Sequence, residues 1–82
     1  MTKLINRRVE VESGKGGLPV SFRHRGVRYQ VAEILDVWTE SGRWWEQEGE
    51  LFTFRVATVE GGLFEVTWSL RTREWTLYKS YD

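Results

Sequence analysis

Apolar and polar residues alternate with period two along most of the chain, and Gly-containing breaks separate the alternating stretches. A period of two places successive side chains on opposite faces of an extended backbone, so the pattern predicts half-buried β-strands. Six are expected: Ile5 to Glu12, Val20 to His24, Val27 to Trp38, Leu51 to Val59, Leu63 to Leu70 and Trp75 to Tyr81. Ser13-Gly14-Lys15-Gly16-Gly17 reads as a flexible hairpin loop, and Ser41 to Gly49 as a longer excursion.

Loop lengths then set the pairing, because a slip of one residue turns a whole apolar set outward. A three-residue loop Glu60-Gly61-Gly62 pairs Val56 with Val66, Phe54 with Trp68 and Phe52 with Leu70. A turn at Arg71-Thr72 pairs Trp68 with Trp75, Val66 with Leu77, and Thr67 with Thr76 on the outer face. A turn at Arg25-Gly26 pairs Phe22 with Tyr29 and Val20 with Val31. The expected core is therefore Val20, Phe22, Tyr29, Val31, Phe52, Phe54, Val56, Phe64, Val66, Trp68, Trp75 and Leu77. The fold class that buries this set is all-β: residues 1–82 as a single domain, one strongly curved antiparallel sheet or a small barrel of about six strands.

Composition narrows the chemistry. The chain has 82 residues, 15% aromatic, with no Cys and one His, which excludes disulfides, thiolate metal sites and cysteine nucleophiles. The single imidazole, His24, sits between Arg23 and Arg25 with no nucleophile or second ligand in sequence reach, and Glu33 and Asp36 read as solvated strand carboxylates rather than an acid/base pair. Gly14-Lys15-Gly16-Gly17 lacks the spacing, the Ser or Thr and the following helix of a phosphate loop. No enzyme activity, cofactor or metal is expected. No apolar run approaches the ~20 residues that span a bilayer, and no signal-like block follows Met1, so a cytoplasmic domain without membrane contact is expected.

Charge is balanced in total, at 12 basic and 12 acidic residues, but not in layout. Residues 1–30 hold seven Lys or Arg against two acids, and residues 31–66 hold eight acids against two Arg. The expected hairpin sets Arg23 opposite Arg28, a like-charge pair that calls for neutralisation by Glu10 or Glu12 on the neighbouring strand, or by an acidic partner or phosphate. Trp44-Trp45 is the second anomaly, since neighbours in an extended chain point to opposite sides and one core cannot take both rings. Either the excursion folds over a barrel end and plugs it with both rings, or one ring is a partner anchor or a stacking platform. Arg23, Arg25, Arg28, Trp44 and Trp45 are thus the candidate partner- or nucleic-acid-binding residues.

The succession Phe22-Arg23-His24-Arg25-Gly26, Tyr29-Gln30-Val31, Trp44-Trp45, Phe54-Arg55-Val56, Phe64-Glu65-Val66 and Trp75-Thr76-Leu77-Tyr78 resembles a small domain of unknown function. That domain is found at the C-terminus of the catalytically dead Y-family polymerase homologues of bacterial mutagenesis cassettes (ImuB-like) and as a short stand-alone protein. The resemblance covers nearly the whole chain from Ile5 and implies a non-catalytic accessory domain linked to translesion synthesis and DNA repair. It assigns no residue roles. The chain departs from those homologues in having no polymerase-like domain, so the implied role is played in trans. Gln47 to Phe52 faintly resembles a sliding-clamp-binding peptide, but Glu stands at its second position and Leu51-Phe52 open a strand.

Two functions follow as expectations. One is a protein-interaction module, monomeric or a weak homodimer through an edge strand, whose partner belongs to bacterial DNA-damage tolerance. The other is a small barrel that binds single-stranded nucleic acid, with phosphates on the arginines and bases on a Trp; zero net charge disfavours it.

Overall fold

The computed structural model describes residues 2–41 and 50–81. Six strands follow one another: β1 (Lys3–Ser13), β2 (Pro19–His24), β3 (Val27–Ser41), β4 (Glu50–Thr58), β5 (Leu63–Ser69) and β6 (Glu74–Ser80). Each pairs antiparallel with the next, and β6 returns to β1, closing a barrel. Among the described residues the only helical turn is a single turn of 3-10 helix at Lys15–Gly17, and no helix is long and apolar enough to cross a membrane.

Closure depends on two long strands that each serve two sheets. In β1, Lys3 to Val9 pair with β6 and Glu10 to Ser13 with β2. In β3, Val27 to Gln30 pair with β2, while Val31 to Ser41 pair with β4. The short β2 thus bridges the C-terminal part of β1 and the N-terminal part of β3. Register shifts at Val31/Glu33 and Ile34/Asp36 bend β3 between its two partners, as bulges do.

The interior is the expected apolar set with one exception. Phe22, Phe54, Val56, Phe64, Val66 and Leu77 are buried, and Tyr29, Val31, Phe52, Trp68 and Trp75 pack around them, joined by Ile5, Val9, Val11 and Ile34. The rings of Phe22, Tyr29 and Phe64 form one cluster with centroids 5.1 to 5.3 Å apart, and Trp75 links Phe54 to Trp68 at 5.6 and 5.2 Å, separations at which aromatic pairs attract. Val20 is the exception and corrects the expected core: it is 39% exposed. The β2–β3 ladder ends at Ser21↔Gln30, so the expected Val20–Val31 pair does not form; Val31 pairs with Thr58, and Val20 lies over Gly14 instead.

Two of the three hairpin registers are as expected. Phe22 pairs with Tyr29 through a turn in which Arg25 and Gly26 both take positive φ (52° and 77°), the conformation that matches the twist of a two-residue hairpin and that Gly adopts at no steric cost. Trp68 pairs with Trp75, Val66 with Leu77 and Thr67 with Thr76, although regular pairing stops at Ser69↔Glu74 and the turn spans four residues. The β4–β5 register is corrected by two residues: Val56 pairs with Phe64, Phe54 with Val66 and Phe52 with Trp68. Here the three-residue loop is Val59 to Gly61, because Thr58 closes it twice over. Its N–H donates to the Gly62 carbonyl at 2.9 Å, and its Oγ1 accepts from the Gly62 N–H at 3.0 Å.

Candidate functional site

Arg23 and Arg28 are direct cross-strand partners on the outside of the β2–β3 hairpin, as their sequence spacing predicts. On the other side of β2, Arg23 pairs with Glu10 of β1, and Glu12 pairs with Ser21. These outward side chains frame a hollow of about 280 Å³ whose apolar floor is Val11 and Phe22. Glu12 holds both neighbouring strands: Ser21 Oγ donates to its carboxylate at 3.3 Å and Arg28 at 3.4 Å. The Arg28–Glu12 pair is loose and wet, with side chains 57% and 66% exposed. Neutralisation by an internal acid is therefore realised at Arg28, while Arg23 has no ion-pair partner among the described residues.

Arg25 occupies the tip of the hairpin turn, exposed and away from the hollow. His24 is half-buried beside it, and its pKa is pushed below the ordinary 6.5 by partial burial first, then by the positive charges of Arg25 and Arg7. Trp44 and Trp45, the other half of the expected site, lie outside the described residues, as do Gln47 to Gly49 of the clamp-like peptide. Leu51 and Phe52 are ladder residues of β4. The Gly14 to Gly17 segment forms one 3-10 turn and leads into β2, with no following helix.

The structure also reveals a cluster that residue patterns alone did not single out. Across β3, β4, β5 and β6 the outward residues Asp36, Arg55, Glu65 and Lys79 stand in one cross-strand row of alternating charge. Arg55 donates to Asp36 at 2.9 Å, and its guanidinium lies 5.5 Å from the ring centroids of both Trp38 and Tyr81. Glu65 is only 4% exposed and accepts from the Tyr81 hydroxyl. The next row, Trp38-Thr53-Thr67-Thr76, is buried at Thr53 and Thr67, whose hydroxyls lie 3.4 Å apart. The signal available in the sequence was Arg55 itself, a charged residue at an outward position between Phe54 and Val56. Its partners depend on the two β3 bulges, which no Gly or Pro marks.

Chemically, the hollow between β1 and β3 offers a free guanidinium, two accessible carboxylates, a hydroxyl and an apolar floor. That is a mixed-charge surface suited to polar contact. No curated protein and no solved structure matches the chain. A family model described as Domain of unknown function (DUF6504) matches residues 2–82, and the chain belongs to that family.

Proposed function

We propose that this domain is a non-catalytic binding module for a protein partner in bacterial translesion synthesis and DNA-damage tolerance, and that it engages the partner through the Arg23–Arg28 face. The observation that carries the choice of a protein is the presence of Glu10 and Glu12 in the same hollow as Arg23 and Arg28. A nucleic-acid surface gains affinity by releasing counterions from phosphates, and carboxylates interleaved with its arginines would repel those phosphates. A protein surface offers charges of both signs, and complementary pairing across a mixed patch gives register and partner choice. The link to translesion synthesis rests on the sequence resemblance described above.

The test pairs two measurements on the purified chain. Single-stranded DNA is expected to bind negligibly at physiological salt; three phosphate-binding arginines would instead give a log-log salt slope of about −2. Capture of purified bacterial translesion polymerases and their accessory proteins is expected, and is lost on Arg23→Glu with the fold intact by circular dichroism. Salt-dependent DNA binding that Arg23→Glu weakens, without protein capture, transfers the site to nucleic acid.

A further inference from the structure

The larger sheet of the barrel runs β3-β4-β5-β6-β1, and the part of β3 beyond Gln30 forms one of its borders. Among the described residues no strand pairs with Val31 to Ser41 on the side away from β4, because β2 reaches β3 only from Val27 to Gln30. The backbone direction along this border follows from the neighbouring ladder. The Leu70 N–H donates to the Glu50 carbonyl, and the Thr58 N–H to the Gly62 carbonyl, so even-numbered residues of β4 turn their backbone groups toward β5. Odd-numbered Leu51, Thr53 and Arg55 then face Glu40, Trp38 and Asp36. Since these directions alternate, the N–H and C=O groups of Val37 and Thr39 point outward from the sheet.

The two borders of this sheet differ. The β1 border carries Lys3, Arg7 and Arg8 and is broken by a register shift between Leu4 and Arg7, with Asn6 at φ 51°. Basic side chains and bulges are the devices that keep edge strands from pairing. On β3 the register runs without a shift from Asp36 to Ser41, and Leu35 and Val37 are exposed, Val37 at 52%. This half-strand carries Glu33, Asp36 and Glu40 and no basic residue.

We propose that the β3 border from Asp36 to Ser41 accepts an extended basic segment of another protein as an added antiparallel strand. Main-chain hydrogen bonds to Val37 and Thr39 give such a complex its affinity, and alternate side chains give it specificity. Charge decides the occupant: pairing with β3 of a second copy would set one acidic strand against another, whereas lysines or arginines on the incoming strand complement the acidic sequence of this half-strand. This surface is separate from the Arg23–Arg28 hollow and stands or falls independently of it.

The probe is an end-blocked alternating lysine–valine hexapeptide, with a glutamate–valine hexapeptide as control, read by amide hydrogen exchange of the full chain. Millimolar lysine peptide is expected to slow exchange at Val37 and Thr39, the glutamate peptide to leave both unchanged, and Arg23→Glu to alter neither result. Thr39→Pro removes one outward N–H at a border position that tolerates proline, and should weaken binding about tenfold. If that variant loses the fold by circular dichroism, Glu33→Lys/Glu40→Lys decides instead, by reversing the peptide preference. Protection by neither peptide, equal protection by both, an unreversed preference, or full binding by a folded Thr39→Pro overturns the proposal. So does a dimer in analytical ultracentrifugation with these amides already protected, which would make a second copy the occupant.

Discussion

The barrel carries two arginine–carboxylate arrangements on its outer surface, and they differ in what surrounds the charge. At Arg55 the guanidinium lies between two aromatic rings, holds Asp36 at 2.9 Å and stands next to a buried Glu65. At Arg28 the same kind of pair is 3.4 Å long, more exposed, and set above an open hollow. Ion pairs in high dielectric contribute little, while those flanked by apolar groups lose less to solvent screening and gain packing from the arginine stem. Arg55 therefore ties Asp36 of β3 to β4 and packs on Tyr81, which in turn holds Glu65 of β5, whereas the Arg28 pair leaves its groups available to a partner.

The largest expected effect tests whether the hollow depends on the core beneath it. Phe22 is buried and forms part of the floor, so Phe22→Ala should cost about 3 to 5 kcal/mol in urea unfolding and remove any binding at the Arg face with it. Next, Arg55→Ala strips Asp36 of its partner, leaves it in line with buried Glu65, and opens a gap between Trp38 and Tyr81. A loss of about 1 to 3 kcal/mol is expected. The matching change at the other site, Arg28→Ala, should stay within about 0.5 kcal/mol. Equal losses for the two would erase the distinction. Double-mutant cycles sharpen it further: the coupling of Arg28 with Glu12 should fall at the low end of about 0.2 to 1 kcal/mol and vanish at high salt, while that of Arg55 with Asp36 persists.

The smallest effect is a pH dependence confined to the Arg hairpin. Because the folded pKa of His24 lies below its unfolded value, the unfolded chain binds the proton more readily, and the contribution of His24 to stability falls as pH drops below 6.5. It levels off below the folded pKa. Thermal melts between pH 7.5 and 5 should show a small decline that His24→Gln removes from the wild-type profile.

Much of this surface was legible because strand parity is a strong signal. The apolar alternation fixed which residues face inward, and the Arg25-Gly26 turn fixed Arg23 opposite Arg28, since a two-residue hairpin allows one register. Parity is blind to shifts of two, however. Both β4–β5 registers put Phe54 and Val56 inside, and the choice between them rests on the Thr58 hydroxyl and its bond to the Gly62 N–H, a tertiary detail with no periodic trace. Val20 followed the parity of Phe22 but sits where the β2–β3 ladder has already ended, so its face no longer decides its burial. The Arg55 row was hidden for the same reason: two bulges in β3 leave Asp36 on its outer face but move its partner by two residues, to Arg55, where unbroken pairing from Val31↔Thr58 would have set it opposite Thr53.

The pairing of β6 with β1 sets Lys3 beside Ser80. Ladder partners in an antiparallel pair lie about 5 Å apart at Cα, so both extremities of the barrel leave it at one point on its rim. A module of this geometry is portable. It can be spliced into a surface loop of a host protein with short connectors on both sides, or have its ends joined and be reopened at the Arg71-Thr72 turn. The six-strand closure and the Arg23–Arg28 face survive either rearrangement, because the cut falls in an exposed turn and the new bond replaces a distance that the β1–β6 ladder already holds short.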